Sequence, residues 1–133
     1  MSLKLRLKPH EKLIIGGAVM VNGPKAAEFL IENNVPILRE TDIMGESQVT
    51  SPARRLYFCV QLMYIDLANL ERYHSQFNEL SAEIAIAAPS TNPFLIDIYG
   101  KVMSSEYYFA LKLVRKLIDY EDSLIEMTLN SPH

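Results

Sequence analysis

Hydrophobic and polar positions alternate strictly at the start of the chain, with Leu3, Leu5 and Leu7 on one parity and Lys4, Arg6 and Lys8 on the other. Successive side chains of a strand point to opposite faces, so the leucines can enter a core while the cations face water together. Turn residues then divide the next stretch into short runs. Pro9-His10 ends the first run, and Gly16-Gly17 between "KLII" and "AVMV" is the pair expected of a tight hairpin. Asn22-Gly23-Pro24 closes "AVMV", "AAEFLIE" alternates, and Asn33-Asn34 precedes "VPILRE". The spacing predicts an antiparallel meander of about five strands, with residues 26–32 also open to a helical reading. Pro36 puts the last strand at an edge, because proline cannot donate to a ladder on both sides.

The period changes after "GESQVTS". Ser51-Pro52 is a helix start, with serine at the N-cap and proline at the first helical position. From there Leu56, Val60, Met63, Leu67, Leu70 and Phe77 recur every three or four residues, which predicts one helix running to the break at "APSTNP". A second long helix follows, with Lys101, Ser104, Tyr108, Lys112, Arg115, Asp119, Asp122 and Glu126 on its polar stripe. The expectation is an α+β protein: a β-rich unit over 1–45 packed with a helical unit over 46–133, together one compact domain.

Composition narrows this picture. The chain has 133 residues, 49% of them hydrophobic, enough for a core without outside help. Its longest apolar runs fall short of the roughly 18 residues that a membrane span needs, and its opening does not read as a secretory signal, so a cytoplasmic protein off the membrane is expected. Cys59 is the only cysteine and lies in an apolar run, as a small buried hydrophobe would. The net charge of −3 is uneven: residues 1–55 hold eight Lys/Arg against six Asp/Glu, and residues 56–133 five against ten.

Catalytic chemistry is thinly provided. In "HEKLI", Ile14 stands where a helical zinc motif needs its second histidine. His74 and His133 have no carboxylate cluster nearby in sequence, and the glycines of "GGAVMVNG" lack a nucleotide loop's Lys-Ser/Thr ending. No enzyme, metal or cofactor is expected. Four features remain, each with two readings. Lys4, Arg6, Lys8 and Lys12 form either a phosphate-contacting face or a solvated face paired to Glu28 and Glu32. Arg54 and Arg55 oppose the dipole at a helix start, which calls for a bound anion or an acidic neighbour. Tyr108 and Lys112 suit base stacking and phosphate contact, or an ordinary solvated face. The density of "LYFCVQLMYIDLANL" suits a partner surface or a core.

The blocks "LKLRLKPHEKLIIGGAVMVNG", "ILRETDIM", "SPARRLYFCVQLMYID" and "EYYFALKLVRKLIDYED", in this order, closely resemble the FlbT family of flagellar regulators. The resemblance implies a post-transcriptional regulator that associates with the 5′ leader of flagellin mRNA, shortens its lifetime and acts with the FlaF protein. The opening strand, turn and strand are also similar to small CsrA-type mRNA regulators. Carried onto this chain, the resemblance adds Arg39 of "LRETDI" to the candidate RNA-binding cations, although Thr41 stands where the family pattern has a lysine. The other reading is a flagellar adaptor that binds FlaF or flagellin and affects the message indirectly. A homodimer is expected, because the first helix is more apolar than one small domain needs.

Overall fold

The computed structural model describes residues 2–129, so His133 lies outside the described residues. The chain divides into two compact units, one ending at Ile43 and the other starting at Met44. The first is antiparallel β and the second helical, which is the α+β class that the two hydrophobic periods predict.

In the first unit β1 (Leu3–Leu7) pairs with β4 (Ala27–Ile31), and β2 (Lys12–Ile15) lies between β3 (Ala18–Val21) and β5 (Ile37–Arg39). The strands thus form two small sheets, and only β2 and β3 are neighbours in both sequence and space. Gly16 and Gly17 make the β2–β3 turn with φ of 56° and 87°, the left-handed pair that a two-residue hairpin demands. A Cβ on Gly16 would also stand 3.0 Å from Val35 Cγ2. Leu5, Leu7 and Leu13 form the core, flanked by Ile15, Ile31 and Ile37, so Leu5 and Leu7 face inward as the alternation requires, whereas Leu3 at the start of β1 stays 49% exposed. Residues 27–31 are strand and not helix, and β5, which follows Pro36, is an edge.

The second unit holds α1 (Pro52–Ile65), α2 (Leu70–Ala87), α3 (Asn92–Met103) and α4 (Tyr107–Leu129). Each helical run expected as one is two. The first breaks at Asp66, which leaves helical geometry and accepts hydrogen bonds from Tyr73 Oη (2.6 Å) and Asn69 Nδ2 (2.8 Å). The second breaks at Ser105, whose φ of 60° is left-handed. There Glu106 N donates to Lys101 O (2.9 Å) and Ser105 N to Val102 O (3.0 Å), a Schellman closure with serine in the place usually held by glycine. α1 packs against both α2 and α4, and α3 packs against α4. Leu56, Tyr57, Val60 and Met63 are almost wholly buried, so the apolar density of α1 is core.

Two polar clamps hold this unit. Gln61, itself buried, accepts from Met44 N (2.7 Å) and donates to Met44 O (3.0 Å). At the start of α1, Ser51 caps Arg54 N and Glu121 of α4 accepts from Ala53 N at 2.8 Å.

Candidate nucleic-acid interface

Lys4 and Arg6 share one carboxylate. Glu28 lies opposite Arg6 on β4, with its oxygens 2.9 Å from Arg6 Nε and 3.3 Å from Lys4 Nζ. The two cations remain 58% and 79% exposed, and solvent-facing pairs of this kind hold only weakly, so a phosphate could compete for them. One charge of the row is nevertheless offset.

Arg39 has a different place. Its Nη2 donates to Arg6 O (2.6 Å) and to Glu11 Oε2 (2.9 Å), tying β5 to β1 across the two sheets. Glu11 also accepts from Lys8 N at 2.8 Å, and these two hydrogen bonds hold its carboxyl below the usual range.

Lys8 and Lys12 are exposed and make no ion pair among the described residues. The strand alternation did not single out what joins them to a third cation. Asn22 Nδ2 donates to Lys8 O (2.8 Å) and Lys25 O (2.9 Å), and His10 N donates to Gly23 O (3.0 Å). These bonds fasten the loop between β1 and β2 to the loop between β3 and β4. Lys8, Lys12 and exposed Lys25 therefore belong to one clamped end of the β unit, and only the Asn-Gly-Pro turn signal beside Lys25 hinted at it.

In the helical unit the arginine pair separates. Arg54 Nη1 and Nη2 each donate to an Asp122 oxygen at 2.9 Å, and Glu121 Oε1 lies 3.6 Å away. Asp122 raises the guanidinium's pKa and is itself lowered by the same hydrogen bonds. The acidic neighbour that relieves this helix start is thus internal. Arg55 is exposed and makes no ion pair among the described residues. Tyr108, on the outer side of α4, carries Lys112 Nζ 4.9 Å from its ring centroid and Tyr64 at 6.1 Å on its flank. Ser104, expected on the same stripe, lies on the far side of the α3–α4 break.

Cys59 is buried with its Sγ donating to Tyr73 O (3.3 Å), and burial pushes its thiol up to about 11, away from nucleophilic use. His74 faces Tyr107, 3.5 Å from its hydroxyl. Among the described residues no group of three His, Cys, Asp or Glu is placed to hold a metal, and no helix is long and apolar enough to cross a membrane.

A family model described as "Flagellar protein FlbT" matches residues 3–125. The chain belongs to the FlbT family. Its FlbT relatives include the "Flagellum biosynthesis repressor protein FlbT" of Caulobacter vibrioides (strain ATCC 19089), 44% identical over 124 residues, which span 92% of this chain and 88% of that one. The "Probable flagellum biosynthesis repressor protein FlbT" of Caulobacter sp. (strain K31) is also 44% identical, over 92% of this chain and 95% of its own length. In Bradyrhizobium diazoefficiens (strain USDA 110), "Probable flagellum biosynthesis repressor protein FlbT 1" is 42% identical over 93% of this chain and 85% of its own. No solved structure matches the chain.

Proposed function

We propose that this FlbT-family chain represses flagellum biosynthesis after transcription, by associating with the 5′ untranslated region of flagellin mRNA and promoting its degradation in the cytoplasm. The observation that carries the reading is the family match over residues 3–125, with relatives that bear the name of flagellum biosynthesis repressors. The clamped end of the β unit supports it physically. Lys8 and Lys25 stand on two loops tied by Asn22, and Lys12 begins β2 directly after the first of them, which gives phosphates a fixed target at little ordering cost. Tyr108 offers a ring on which an unpaired base can stack. The role is regulatory, and a cellular nuclease would carry out the decay.

Direct binding is tested by a gel-shift titration of the purified protein with a flagellin leader and an unrelated RNA of equal length, at two salt concentrations. Changing Lys8, Lys12 and Lys25 to alanine should weaken leader binding. It should also flatten the plot of log affinity against log salt by about 2, at roughly 0.7 per lost phosphate contact to a single strand. Equal binding of both RNAs, or an unchanged slope, would remove this mechanism.

One observation favours a second reading, an adaptor that binds FlaF or flagellin and reaches the message indirectly. Ile96, Tyr99 and Met103 are exposed at i, i+3 and i+7 on α3, an apolar stripe of the kind that a partner helix covers. Absence of any leader shift, with capture of FlaF by the same protein, would leave that reading alone.

A further inference from the structure

Every strand edge in the β unit but one carries a feature that discourages pairing. β1 presents Lys4 and Arg6, β4 has Glu28, and β5 follows Pro36 and ends in Arg39. β3 reads Ala-Val-Met-Val, with no charge, proline or bulge, and it is the outer strand of its sheet. All four of its residues are exposed, Val19 by 66% and Val21 by 59%. An uncharged apolar edge in water is a template for another strand.

The hairpin register shows which backbone groups are free. Ile15 and Ala18 flank the two-residue turn and form a hydrogen-bonded pair, and such pairs alternate along an antiparallel ladder. Met20 opposite Leu13 is therefore bonded inward, and the Asn22 N to Glu11 O bond of 2.9 Å fixes the phase. The N–H and C=O groups of Val19 and Val21 point away from β2, to the open side of the sheet.

We propose that β3 is the dimerisation edge of this protein, pairing antiparallel with β3 of a second copy about a two-fold axis at Met20. In that register Val19 faces Val21 of the other copy and Val21 faces Val19, so all four outward N–H groups of the pair meet an outward C=O. The two Met20 side chains meet in the non-hydrogen-bonded position between them. A second copy is the occupant because the edge is complementary to itself. Residues 1–43 also hold six Lys/Arg against five Asp/Glu, so two such units do not repel, and a strongly charged partner strand would find no counter-charge on β3. The inference is independent of RNA binding. It also gives a homodimer a different basis from the apolar density of α1, which is used up inside its own unit.

Light scattering on the full chain at high micromolar concentration should give twice the chain mass. The Val19→Lys/Val21→Lys variant puts like charges opposite each other across the two-fold while changing only exposed side chains. It should give the single mass with unchanged far-UV circular dichroism. Met20→Cys should form an interchain disulfide under mild oxidation, because residues at a non-hydrogen-bonded pair have Cα atoms about 4.5 Å apart, within disulfide reach. Val19→Cys, whose copies are only diagonal neighbours, should cross-link far less, and native Cys59 is buried and does not compete. A single mass for the unaltered protein, a dimer that survives the double lysine variant, or equal cross-linking at both positions would each overturn the proposal.

Discussion

Gln61 shows how one side chain decides a local structure. It sits in the fully buried part of α1, where an apolar residue would satisfy the helix pattern, yet its amide stands in for a strand partner to the backbone of Met44. Without it, a buried N–H and C=O would face nothing. Leaving such groups unpaired costs about 1–3 kcal/mol each, against a small gain from a leucine's apolar surface. Gln61→Leu should therefore destabilise the protein by about 2–4 kcal/mol, read as a lower urea midpoint at unchanged slope. A midpoint equal to that of the unaltered protein would mean that water replaces the amide without loss. Asn22 acts similarly in the β unit, where one amide group reaches Lys8 O and Lys25 O and brings two basic loops to one end.

At the scale of elements, the α3–α4 break depends on Ser105. A left-handed backbone strains any side chain with a Cβ, and the side chain of Ser105 is exposed, so it is not held in a core. Ser105→Gly should stabilise the helical unit by about 0.5–1 kcal/mol, measured by thermal or urea unfolding. A loss of stability would show that the serine makes a bond of its own. This break also marks where the sequence stopped being legible. The hairpin was readable because Gly16-Gly17 is the chemistry of its turn, and the α1 start because Ser51-Pro52 is the chemistry of a cap. Ser104-Ser105-Glu106 and Asp66 break helices with residues that helices also tolerate, so the three-or-four spacing runs through both breaks unmarked. The candidate site divides in the same way. Exposure of Lys4, Arg6 and Lys8 followed from strand parity, whereas the engagement of Arg54 by Asp122 joins residues 68 positions apart that no local pattern connects.

For the whole molecule, the hydrogen-bonded carboxylates set the response to acid. Glu11 in the β unit and Asp66 and Asp122 in the helical unit all have pKa values lowered by hydrogen bonds that exist only in the fold. The unfolded chain binds protons at these groups at higher pH than the native one, near their ordinary values of 4.5 for Glu11 and 3.8 for the two aspartates. Their stabilisation is complete above that range and is lost as pH falls through the lower native values. Cys59, raised to about 11 by burial, and Tyr73, raised by its bond to Asp66, act at the other end. The unfolded thiol ionises near 9.0 while the native one does not, so stability declines as pH rises from there towards 11. The urea midpoint should accordingly be flat between about pH 5 and 9 and fall on both sides. Glu11→Gln, which keeps an acceptor for Lys8 N but loses the titrating charge, should lower the neutral midpoint and shrink the acid decline. A variant whose acid limb matches the parent's would show that the Glu11 contacts with Lys8 and Arg39 carry no weight in the fold.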